Sequence, residues 1–152
     1  MKRSSCPTER PAGLEVNPGV RPKPDQLAQE LRLVLKFGTR PAKLVDRLDL
    51  LPGLIACSGE IAESTPWDQA IALCALVQRA IGTLGDGEYG ESVAALFGTA
   101  TQTRGLPLGR RRAVVAEVLD RQLGTVIRWW EPAAVLDIAV AIYASSNGRV
   151  AT

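Results

Sequence analysis

The sequence predicts an all-α fold: a compact multi-helix bundle with a helix-turn-helix-like unit toward its C-terminal end. Three observations carry this expectation. Apolar residues recur at helical spacing in several windows, no alternating run of β-branched residues lies between turn signals, and Gly and Pro punctuate the chain at short-helix intervals. With 152 residues, 46% of them apolar, the chain has the size of one domain and material for a core.

Residues 1–24 carry Pro7, Pro11, Pro18, Pro22 and Pro24 with Gly13 and Gly19, and read as a flexible, extended, basic arm. One helical domain is expected over 25–146. Its first helix runs from Asp25 to Phe37 on a stripe of Leu27, Leu31, Val34 and Leu35, and Gly38 stops it. A short second helix follows Pro41, with Leu44, Val45, Leu48 and Leu51 apolar, and Pro52-Gly53 breaks it. Residues 54–63 carry only a weak helical signal.

Thr65-Pro66-Trp67-Asp68 is the clearest helix start: a capping Thr, Pro at the first helical position and Asp three residues after the cap. That helix carries Trp67, Ile71, Cys74, Ala75, Val77, Ala80 and Ile81 up to Gly82. The turn with Gly82, Gly85 and Gly87 lacks the Gly-Lys-Ser/Thr end of a phosphate loop and reads as a plain connection. A helix over Glu88–Phe97 follows, closed by Gly98.

Beyond the loop Gly98–Gly109, a helix is expected over Arg110–Leu119, with Ala113, Val114, Val115, Ala116, Val118 and Leu119 apolar and Glu117 in solvent. Asp120-Arg121-Gln122 forms a break, and a second short helix spans Leu123–Trp130. The last helix starts near Pro132 and runs to Ala144; Ser145-Ser146-Asn147-Gly148 ends it, and residues 147–152 fray. The pair within 110–131 has helix-turn-helix spacing, in which the second helix reads a major groove.

Charge is small overall but uneven. The net charge is +2, yet the Arg104–Pro132 segment holds six of the fourteen arginines. Residues 1–24 sum to +3, 25–100 to −4 and 101–152 to +3, so a local basic patch is expected rather than a basic molecule. Arg110, Arg111 and Arg112 stand at a helix start, where the dipole disfavours cations, which suggests a partner anion or an acidic neighbour. They are placed to meet phosphates, and Arg128 to face a base edge. The candidate reading helix otherwise offers Val126, Ile127, Trp129 and Trp130, which read no base edges.

Trp129 and Trp130 are adjacent, so on a helix they point about 100° apart and cannot share one core seam. One belongs in the core. The other is a lid over the Pro132 corner, the favoured alternative, or an exposed anchor for a protein partner.

The chain contains no histidine, the commonest general base and metal ligand. Asp46 with Asp49 and Glu60 with Glu63 stand at helical spacing but read as solvated faces, and Ser58-Gly59 lacks the flanks of a nucleophile elbow. No catalytic residue, cofactor or metal is expected. Cys6, Cys57 and Cys74 form no close pair, which suggests reduced thiols in a cytoplasm, with Cys74 a small core residue. No window reaches the ~18 apolar residues of a membrane span, and no apolar run follows Lys2 and Arg3 as in a secretory signal.

From Phe97-Gly98 onward a pattern emerges: Thr103-Arg104-Gly105-Leu106, Leu108, Arg111-Arg112, an Ala-rich helix with Ala116 and Leu119, then Thr125, Arg128, Glu131-Pro132, Leu136 and Ala139. This C-terminal third resembles a helical, helix-turn-helix-like module of uncharacterised actinobacterial proteins in regulatory or immune-like conflict systems. The resemblance implies an adaptor role. The chain departs from the module at Asp120, often glycine there, and at Ile127, often basic. The expectation is therefore a non-enzymatic protein-interaction or adaptor domain, with Arg110, Arg111, Arg112, Arg128, Trp129 and Trp130 as candidate partner-binding residues. A DNA-binding helix-turn-helix regulator is the alternative.

Overall fold

The computed structural model describes residues 22–59 and 64–151, with side chains through residue 146. The arm up to residue 21, Cys6, Glu60 and Glu63 lie outside the described residues. The elements are α1 (Pro24–Phe37), α2 (Pro41–Leu44) running into a 3₁₀ segment (Val45–Leu50), α3 (Pro52–Ser58), α4 (Pro66–Gly82), α5 (Glu88–Phe97), a 3₁₀ turn (Thr101–Thr103) and α6 (Leu108–Leu119). Then come α7 (Leu123–Thr125), a π segment (Val126–Trp130) and α8 (Glu131–Ala151). No strand occurs among the described residues, and no helix there is long and apolar enough to cross a membrane.

Helix α1 packs most extensively along α8, with α4 against α8, α3 and α2, and α5 against α6. Each buries an apolar stripe. Leu27, Leu31, Val34 and Leu35 of α1 meet a core shared with Leu73 and Val77 of α4, Leu96 and Phe97 of α5, and Val135, Ile138 and Ile142 of α8. Full burial of each such side chain stabilises the fold by about 1.5–3 kcal/mol before the entropy of ordering it is counted.

Local signals set most boundaries. Thr65 Oγ1 accepts the N–H of Asp68 at 3.1 Å, which caps α4. At Gly98 the backbone turns left-handed (φ 77°), and its N–H reaches back to Ala95 O at 3.2 Å to close α5. Pro52 opens α3 at a first-turn position instead of only breaking the preceding segment, since its missing N–H has no helical partner there anyway. Helix α1 likewise opens at Pro24, and Pro22 is buried, so the last residues of the expected arm belong to the domain.

The C-terminal region differs from expectation. The short helix Leu123–Trp130 is not a separate element, because the helix continues through Pro132. In an α-helix the Pro132 ring would press on the Arg128 carbonyl. The π segment just before it widens the turn, and Glu131 N–H bonds Val126 O five residues back. The helix also passes Ser145-Ser146-Asn147-Gly148 and reaches Ala151, rather than ending near Ala144. Ser146 Oγ donates to the carbonyls of Ile142 (3.1 Å) and Tyr143 (3.3 Å) within the helix and meets Cys57 Sγ, so its hydroxyl is satisfied inside the helix and caps neither end.

Candidate functional site

Helix α6 was expected to bury an Ala/Val stripe. Instead its inward face is Arg111, Val115 and Ala116, with Ala113 and Val118 in solvent. Arg111 is only 2% exposed. Its Nε donates to Leu106 O (2.9 Å), one terminal nitrogen to Leu96 O (2.5 Å) and the other to Leu35 O (2.8 Å). Leu35 lies in the last turn of α1 and Leu96 in the last turn of α5, where carbonyls lack intrahelical partners. Each helix end carries roughly half a negative charge, so the guanidinium neutralises two C-termini at once.

The end of α5 is accounted for completely. Ala94 O accepts Thr99 N–H, Ala95 O accepts Gly98 N–H, Leu96 O accepts Arg111, and Phe97 O accepts the buried Thr39 hydroxyl at 2.8 Å. Burial lowers the Arg111 pKa first and the neighbouring Arg112 lowers it further, while Glu131 raises it. Arg111 is thus an internal staple, and its expected place on a partner-binding surface is corrected.

Arg112 turns toward α8. Its Nε and a terminal nitrogen grip both carboxylate oxygens of Glu131 at 2.8 and 2.7 Å, and this two-pronged bond holds its pKa above the ordinary value. Only Arg110 of the triplet is exposed. The three arginines therefore form no common basic face, and the acidic neighbour suggested by their position at a helix start is Glu131. Arg128 is exposed on the π segment.

The two tryptophans part company. Trp130 is half-buried and meets Tyr89 edge-on, ring centroids 6.0 Å apart, while the Tyr89 hydroxyl donates to Asp137 of α8. Burial, then the bond and the charge of Asp137, raises the Tyr89 pKa. Trp129 is 70% exposed, which overturns the lid over the Pro132 corner. It continues along α8 into exposed Ala133, Leu136 and Val140, a spacing that puts all four on one face.

A second feature was missed in the sequence. Lys36, Arg40, Lys43 and Arg47 surround a groove of about 400 Å³ between the α1–α2 turn and the Leu106 loop, with Phe37 in its wall and Arg111 at its floor. Their spacing of four, three and four residues is the signal, hidden because block sums of charge make 25–100 acidic. Asp46 and Asp49 are exposed and do not line the groove. Among the described residues no group of three or more His, Cys, Asp or Glu is placed to hold a metal. No protein-family model, curated protein or solved structure matches the chain.

Proposed function

We propose that the chain is a non-enzymatic protein-interaction domain, an adaptor of a bacterial regulatory or defence system, whose partner docks on the exposed face of α8. The observation that supports this most is Trp129. A 70% exposed tryptophan in line with Leu136 (45%) and Val140 (48%) is apolar surface that nothing among the described residues covers, and tryptophan is the residue most enriched at binding hot spots. A DNA-binding regulator has less support. Two of the four arginines it needs are engaged internally, by helix carbonyls and by Glu131, and its reading helix is the start of a long packed one.

The test compares the proteins cross-linked by the wild-type chain in its host with those cross-linked by Trp129→Ala and Leu136→Ala. We expect a partner held by the wild type and lost by both variants, with their helical circular dichroism unchanged. A partner set that the substitutions do not alter refutes the proposal, as does binding of duplex DNA in its place.

A further inference from the structure

We propose that the groove bounded by Lys36, Arg40, Lys43 and Arg47 binds a small anion carrying two or more phosphates. The proposal is independent of the α8 face and rests on different residues.

Charge is the first argument. All four rim residues are cationic; among the described residues no carboxylate lines the groove, and the only ion pair, Arg112–Glu131, lies elsewhere. A surface face that is merely solvated usually intersperses both signs. Here like charges converge on one concavity, which costs free energy until an anion enters. Arg47 stacks on the Phe37 ring at 4.5 Å and the Lys36 ammonium lies 5.8 Å from the same ring. Those contacts hold two cations in place without neutralising either.

The floor is the second argument. The C-terminal ends of α1 and α5 converge behind the groove, and left alone their carbonyls would repel an anion. Arg111 occupies those carbonyls and offsets about one unit of negative charge, so the rim cations act unopposed. Three of its five N–H groups are used by carbonyls, and the residue lines the groove.

Size is the third. A space of about 400 Å³ lies at the small-molecule end of ligand sites, which span about 300–1,000 Å³. Four positive charges within it match a di- or triphosphate rather than a single phosphate.

Titration calorimetry and thermal shift on the full chain test this, with tripolyphosphate, ATP, sulfate at equal ionic strength and a duplex DNA as probes. We expect saturable one-to-one binding of tripolyphosphate or ATP that weakens with salt. Arg40→Gln with Lys43→Gln should weaken it about tenfold or more at unchanged circular dichroism, whereas Arg110→Gln with Arg128→Gln should not. Equal affinities for the two polyphosphates identify the phosphate chain as the recognised group, and tighter ATP binding identifies a nucleotide. An equal effect of sulfate, wild-type affinity in the groove variant, or binding of duplex DNA alone overturns the proposal.

Discussion

The carboxylate of Glu30, buried in α1, accepts the backbone N–H of Leu54 at 2.8 Å and so caps the start of α3. Its other oxygen accepts Gly53 N–H at 3.0 Å and the Gln26 side chain at 2.9 Å. Glu30 and Arg111 play mirrored parts: an anion satisfies the N–H groups of a helix start, and a cation the carbonyls of two helix ends. Among the described residues neither charge has a side-chain ion-pair partner, and helix termini supply the opposite sign.

Glu30→Gln should therefore destabilise the fold by about 1–2 kcal/mol, since a neutral amide offers one acceptor where two N–H groups need one each. Gly53→Ala should cost a similar amount, about 1–2 kcal/mol. A Cβ at Gly53 would stand 3.0 Å from Glu30 Oε2 and 3.1 Å from Pro22 Cβ, and would push the carboxylate off its donors. Urea denaturation of the two variants measures both effects. Stability equal to wild type in both would show that the cap contributes nothing.

The adjacent tryptophans should separate cleanly in stability. Trp130→Ala removes the ring that meets Tyr89 and should cost about 2 kcal/mol. Trp129→Ala removes a ring facing water and should stay within about 0.5 kcal/mol. Thermal unfolding distinguishes them, and equal losses would place both rings in the core.

Ser92 is buried on α5, and its hydroxyl has no hydrogen-bond partner among the described residues. Ser92→Ala should stabilise the protein by about 1 kcal/mol, by removing an unsatisfied polar group and raising helix propensity. A loss of stability in the same denaturation assay would reveal a partner for that hydroxyl.

Burial pushes the Cys74 thiol up to about 12 from its ordinary 9.0. The folded chain thus holds this proton where the unfolded chain releases it. Whatever stability the thiol confers is complete below pH 9.0 and is lost as pH rises toward about 12. At pH 8, peptide mapping after thiol labelling should find Cys74 unmodified in the folded protein and modified in urea. Rapid native labelling would contradict its burial.

Much of this architecture was legible because its causes are local. Thr65 and Asp68 are three residues apart, Gly98 sits directly after Phe97, and the Leu27–Leu35 stripe lies within one helix. What was not legible depends on distant partners. The π segment arises from Pro132 inside a helix whose packing on α1 favours continuing over stopping, and no neighbouring residue announces that balance. Arg111 occupies an inward position between Leu108 and Val115, but an arginine reads as surface unless the carbonyls of Leu35 and Leu96 are known to converge there. The cations of the groove lie on both sides of the break at Gly38, so no single helix displayed them.

The central claim is that the arginine triplet of α6 serves the interior, with Arg111 as the staple of α1 and α5. Arg111→Leu compared with Arg110→Leu in urea denaturation tests it most directly. Losing the guanidinium leaves the buried carbonyls of Leu35 and Leu96 unsatisfied, at about 1–3 kcal/mol each before relaxation, and the half-buried Leu106 carbonyl without its donor. We expect Arg111→Leu to lose about 3–5 kcal/mol or fail to fold, and Arg110→Leu to stay within about 0.5 kcal/mol of wild type. An Arg111→Leu protein as stable as the Arg110→Leu protein would contradict the claim and return Arg111 to the surface.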